Sequence, residues 1–185
     1  MNPVPVIRMT PDHHLDGGRH ELSVLARGFL PIASRCHLHD RQDGDAMARG
    51  VTIALENTPD ELGAPGSLHH FITDTHLHDL KLCFDIGHAH VEEGVAASFD
   101  AMRERVVTTH IHDNHGDKDE HLLPFDGTIE WDAALRAFTA APHSLPFVFE
   151  IKSQAGTGPS LDQIRAAFDK LEEKLDSQGT GAARP

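Results

Sequence analysis

Short apolar runs, each closed by polar or turn-forming residues, punctuate the chain and read as buried strands. The strong ones occupy residues 51–55, 80–84, 106–111 and 147–151, with a weaker one at 4–9. Between them, residues 96–105, 131–139 and 161–175 carry apolar positions at helical spacing. In the last, Leu161, Ile164, Ala167, Phe168, Leu171 and Leu175 make one apolar stripe. Ser160, followed three positions later by Gln163, has the pattern of a capping box. Strands alternating with helical segments imply βαβ units and a parallel sheet, hence an α/β fold. Residues 12–50 have no convincing period. Residues 179–185 have the composition of a disordered tail, which leaves 1–178 as a single domain.

Composition narrows the classes. The 185 residues are 39% hydrophobic and 24% charged, enough for one domain with a real core. No apolar run of about 18 residues occurs, so no membrane span is expected. The first twenty residues hold Arg8, Asp12 and three His without an apolar stretch, so no secretory leader is expected. Cys36 and Cys83 read as free thiols of a reducing cytoplasm. Sixteen Lys and Arg against 29 Asp and Glu give a net charge of -13 with no basic stretch, which disfavours nucleic acid as a partner. The outlier is the count of 16 His, spread along the chain and often beside Asp, a composition that points to metal.

Candidate chemistry sits where the strong strands end. The first run closes on Glu56, the second on Asp85, the third on His110 and the fourth on Glu150. Taken singly, each has an ordinary reading as a solvated loop carboxylate, a turn former or helix N-cap, or a satisfied polar side chain. Four in phase with four successive strands are harder to produce by accident, because strand termini of parallel α/β folds converge on the ligand-binding edge. Two Glu, one Asp and one His suit Mn²⁺, Zn²⁺, Mg²⁺ or Co²⁺ rather than a soft metal. Asp119 and His121, two residues apart in a loop, point the same way and can bind a further ion together with His88.

These segments resemble a known superfamily. Ala54-Leu55-Glu56-Asn57-Thr58, Phe84-Asp85-Ile86-Gly87-His88, His110-Ile111-His112-Asp113-Asn114, Asp119-Glu120-His121, the run from Phe125 to Trp131 and the final Glu150 look like the motifs of xylose-isomerase-like TIM barrels. That superfamily includes sugar phosphate isomerases and epimerases and the endonuclease IV branch (AP endonuclease family 2). The resemblance implies that Glu56, Asp85, His110 and Glu150 are the shared metal quartet. It implies that His88 binds substrate, as in epimerases, or metal, as in endonuclease IV. Asp119 and His121 match a pair that completes an additional metal site in the multi-zinc members.

The resemblance also implies a partial (β/α)8 barrel, since five strands can be placed, matching the family's fourth through eighth, and the N-terminal units are missing. Thr10 stands where the fourth strand usually ends in His, with His13 and His14 close by. The leading reading is a metal-dependent sugar or sugar-phosphate isomerase or epimerase. In it Glu56 and Glu150 are base and acid, His88 holds a substrate oxygen, and the partner is a small carbohydrate-like molecule. Two alternatives stay open: an endonuclease IV-like zinc phosphodiesterase acting on abasic DNA, and an inactive barrel fragment. A homo-oligomer that completes the sheet is a further expectation.

Overall fold

A computed structural model describes residues 6–7, 52–75, 77–152 and 158–179. The strands are β1 (Val6–Ile7), β2 (Ala54–Glu56), β3 (Lys81–Asp85), β4 (Val106–Ile111) and β5 (Phe147–Phe149). The helices are α1 (Pro65–Asp74), α2 (Ile86–Val91), α3 (Val95–Met102), α4 (Trp131–Phe138) and α5 (Leu161–Gly179). All neighbouring strands pair in parallel, in the order β1-β2-β3-β4-β5. Spatial order equals chain order, as in consecutive units of a singly wound barrel. A doubly wound sheet would reverse at a switch point.

Alternation along β3 separates two faces. Leu82 and Phe84 pack into the core with Leu68 and Ile72 of α1, Phe99 and Met102 of α3, Leu135 and Phe138 of α4, and Leu171 of α5. Phe84, Phe99 and Phe138 meet edge to face at centroid distances of 4.9 to 5.8 Å. Cys83 and Asp85 point the other way and share their face with Glu56, Thr108 and His110, their partners in register. A β-bulge sets this alignment. Leu82 pairs with Val106 but Cys83 with Thr108, so Val107 is skipped and His110 comes to lie beside Asp85.

Expected and observed elements differ mainly at their ends. β4 is found as expected at 106–111, while β2, β3 and β5 are offset or shorter by a few residues, and Glu56 and Asp85 are the last residues of their strands. Helix α5 runs to Gly179, beyond the expected 175, and begins with the reciprocal cap. Ser160 N–H donates to Gln163 Oε1 at 2.9 Å and Gln163 N–H donates to Ser160 Oγ at 3.3 Å. Helix α1 had no counterpart in the sequence reading. It adds only Leu68, Ile72 and the partly buried Phe71 to the core cluster, and Pro65-Gly66, which reads as a turn, instead opens the helix with a buried Pro at its N-terminus. Thr10, His13, His14, Cys36 and the 180–185 part of the expected tail lie outside the described residues. No helix among the described residues is long and apolar enough to cross a membrane.

Candidate metal centre

The quartet assembles on the non-core face of the sheet. His110 Nδ1 lies 3.0 Å from Glu56 Oε1, 2.9 Å from Glu150 Oε2 and 3.7 Å from Asp85 Oδ2. One donor atom from each of the four residues falls within 4.8 Å of the others. Glu56 and Asp85 are buried, while Glu150 keeps 29% of its side chain exposed and forms the open side.

Three carboxylates around one imidazole demand positive charge. Burial opposes a charge on His110, yet Asp85, Cys83, Glu150 and Glu56 together hold its proton affinity far above the ordinary range. Burial likewise opposes ionisation of Asp85, but His110 and His112 hold its carboxyl well below the usual range. Asp85 Oδ2 is nonetheless buried without a hydrogen-bond partner. The arrangement therefore fits a divalent cation, which would take the place of the proton on His110 Nδ1 and satisfy the orphaned Asp85 oxygen. Cys83 stands behind His110, and burial pushes its thiol up to about 11, so it contributes no thiolate.

Local chain geometry explains the Asp-x-x-His spacing. Asp85 ends β3 and is the N-cap of α2, its Oδ1 accepting the His88 N–H at 2.8 Å. The ordinary N-cap reading of this Asp and its place in the quartet are both realised, one oxygen each. Asn57 fixes the neighbouring strand end. Its amide donates to the Asp85 carbonyl at 2.9 Å and its Oδ1 accepts the Asp85 N–H at 2.8 Å, extending the β2–β3 ladder through a side chain.

A second cluster, of His88, His112, Asp119 and His121, adjoins the first. His121 Nε2 is 2.9 Å and His88 Nε2 3.6 Å from Asp119 Oδ2. Burial opposes ionisation of Asp119, but His121 and His88 hold its carboxyl well below the usual range. His112 is the member that sequence reasoning missed. Its ring stacks on His121 at 4.1 Å, and its Nε2 approaches Asp85 Oδ1 at 2.9 Å. The available signal was its place two residues after His110. It also needs Gly87, because a Cβ there would lie 1.9 Å from His112 Cε1.

The loop that carries Asp119 and His121 is clamped by Asp113. This fully buried carboxylate accepts the N–H of Asn114 (2.9 Å), Ile129 (3.1 Å) and Phe125 (2.9 Å) and the indole N–H of Trp131 (2.8 Å). Asp113 and Leu122 also exchange backbone hydrogen bonds at 2.9 and 2.8 Å. His121 (φ 53°) and Phe125 (φ 78°) both adopt left-handed backbone conformations, so the loop holds strain that these contacts offset.

His88 gives the metal-free protein a pH signature. Burial opposes its charge, but the Asp119 hydrogen bond and the fields of Asp85 and Glu56 prevail and raise its pKa from 6.5 to about 9. A raised imidazole pKa adds stability that is complete below the unfolded value and lost as pH rises through the folded one. Metal-free protein is therefore expected to lose thermal stability between pH 6.5 and about 9, measurable by melting at several pH values. A flat profile would mean that His88 gains no charge on folding.

Comparison with known proteins places this geometry. The family model described as xylose isomerase-like TIM barrel matches residues 37–174. The protein MJ1311 of Methanocaldococcus jannaschii is 34% identical over 133 residues, covering 68% of this chain and 45% of that protein. A D-tagatose 3-epimerase-like protein superposes with a TM-score of 0.63 at 24% identity, over 77% of this chain and 54% of the other. An L-ribulose 3-epimerase superposes with a TM-score of 0.61 at 22% identity, over 78% of this chain and 55% of the other. The chain spans about half the length of the relatives it matches, and its sheet is accordingly a partial TIM barrel.

Proposed function

The chain belongs to the xylose isomerase-like TIM barrel family, and from that premise we propose that it is a divalent-metal-dependent isomerase or epimerase of a sugar or sugar phosphate. The observation that carries the proposal is the convergence of Glu56, Asp85 and Glu150 on His110 Nδ1 at the strand ends. These four residues would hold Mn²⁺, Zn²⁺, Mg²⁺ or Co²⁺, and the bound ion would polarise a substrate carbonyl and acidify the adjacent C–H. Glu150, at the open side, takes the proton from carbon. Glu56, buried across the site, returns one to the opposite face of that carbon or to its neighbour. Of the two roles the resemblance implies for His88, the metal role is the better supported. Its Nδ1 lies 2.8 Å from the Asn57 carbonyl and its Nε2 faces Asp119.

An L-ribulose 3-epimerase and a D-tagatose 3-epimerase-like protein among the structural neighbours support the substrate class. The second cluster favours one alternative, an endonuclease IV-like phosphodiesterase, while the net charge of -13 weighs against a DNA substrate. The test is solvent exchange. Metal-loaded protein incubated with ketoses and ketose phosphates in D₂O is expected to place deuterium on the carbon next to the carbonyl, read by NMR. Cleavage of an abasic duplex without such exchange would instead support the phosphodiesterase.

A further inference from the structure

Glu150 is the member of the quartet with the least strand around it. Glu56 and Asp85 end β2 and β3, each of which pairs with a strand on either side. Glu150 lies one residue past the three-residue β5, which among the described residues pairs with β4 alone. The last ladder bond, from Glu150 N–H to the Ile111 carbonyl, is 3.2 Å, at the long end of the usual range. A second set of contacts joins the chain after β5 to the loop that carries Asp119 and His121. His121 Nδ1–H donates to the Glu150 carbonyl at 2.7 Å, and Lys152 N–H donates to the His121 carbonyl at 3.1 Å. Lys152 Nζ donates to the Asp119 carbonyl at 3.0 Å and meets Asp119 Oδ2 at 3.3 Å. We propose that Lys152 is a positioning residue: it latches the segment after β5 to the 119–121 loop and so holds Glu150 at the open side of the quartet.

A bland reading stands beside this one. The Lys152 side chain is 58% exposed, and an exposed ion pair with Asp119 contributes little to stability. The bond to the Asp119 carbonyl argues for more, because a backbone carbonyl moves only with its loop. That loop is itself fixed from the far side, where Asp113 and Leu122 exchange backbone hydrogen bonds immediately beyond His121. Lys152 therefore ties an edge segment to a firm support. Two residues separate it from Glu150, about 7 Å of extended chain, so release at Lys152 is felt at Glu150. Glu150 is both a ligand and the base of the proposed reaction, and a misplacement of about 1 Å in such a group can cost about 100-fold in rate. Positioning and simple charge also act in opposite directions. Removing a cation beside an acidic site favours an incoming divalent ion, whereas releasing one of its ligands disfavours it.

The inference rests on the metal reading of the quartet, and the test separates the two. Metal-free wild type, Lys152→Met and Lys152→Arg are titrated with Mn²⁺ by calorimetry, and their amide hydrogen exchange is followed by mass spectrometry. Methionine keeps the length of the side chain and removes its charge and donors. Lys152→Met is expected to bind Mn²⁺ roughly 10- to 100-fold more weakly than wild type, the usual cost of losing an outer-shell partner. Lys152→Arg, which restores the donors, should stay close to wild type. Peptides covering 147–152 and 119–122 should exchange faster in Lys152→Met, with the rest of the chain unchanged. Mn²⁺ bound by Lys152→Met as tightly as by wild type, or more tightly, would overturn the proposal and leave Lys152 a surface charge. So would weakening that Lys152→Arg does not restore. Wild-type protein that binds no Mn²⁺ would remove the reading of the quartet instead. The latch would then be decided by exchange alone, faster exchange at both segments upholding it and equal exchange overturning it.

Discussion

Glu150→Gln is expected to abolish both tight binding at the quartet and proton exchange from substrate, while leaving the fold intact. The amide is nearly isosteric, so packing around β5 is preserved. What changes is charge, because one of the three carboxylates that converge on His110 becomes neutral, and Glu150 is the one at the open side. Loss of a ligand exceeds the roughly 100-fold cost of losing an outer-shell partner. An ion held at 100 times its dissociation constant adds about 2.7 kcal/mol of stability, and a 100-fold weaker site at the same concentration adds about 0.4 kcal/mol. The metal-dependent rise in melting temperature should therefore nearly vanish in the variant. An undiminished rise would remove Glu150 from the ligand set.

Asp113→Ala is expected to be the most destabilising single change near the site. It deletes one buried carboxylate and orphans four N–H donors, those of Asn114, Phe125, Ile129 and Trp131. Each unsatisfied buried donor costs about 1–3 kcal/mol, so a total of about 3 kcal/mol or more follows after partial relaxation. For a chain of this size that is a drop in melting temperature of roughly 10 °C. Trp131→Phe, which removes one of the four donors, calibrates the scale and should cost much less. Because the clamped loop carries Asp119 and His121, Asp113→Ala should also release an ion from the second cluster before any is lost from the quartet. Equal loss at both sites would show that the loop does not hold the second cluster separately.

The quartet was legible because each member lies at or within one residue of a strand end: Glu56 and Asp85 are last in β2 and β3, His110 is next to last in β4, and Glu150 follows β5 directly. The parallel sheet was legible for the same reason, from apolar runs bounded by polar ends. Other features depend on contacts between distant segments. The bulge at Val107 cannot be read from a run of β-branched residues, yet it sets His110 opposite Asp85. Helix α1 was hidden because its Pro65-Gly66 start also reads as a turn. Asp113 looked like one more polar residue of the His110–Asn114 motif, and its role appears only when residues 114 to 131 fold back onto it. His112 was passed over because the strand ends at Ile111, so its direction is set by Gly87 and the stacked ring of His121 rather than by strand alternation.

The most direct test of the central claim is calorimetric titration of metal-free protein with Mn²⁺ in buffers of different ionisation enthalpy. The carboxylates that crowd His110 Nδ1 hold a proton there, and an ion entering the quartet is expected to displace it. Saturable binding near one ion per chain, with about one proton released, is the expected result. Absence of saturable binding, or binding with no proton released, would contradict a centre built from Glu56, Asp85, His110 and Glu150.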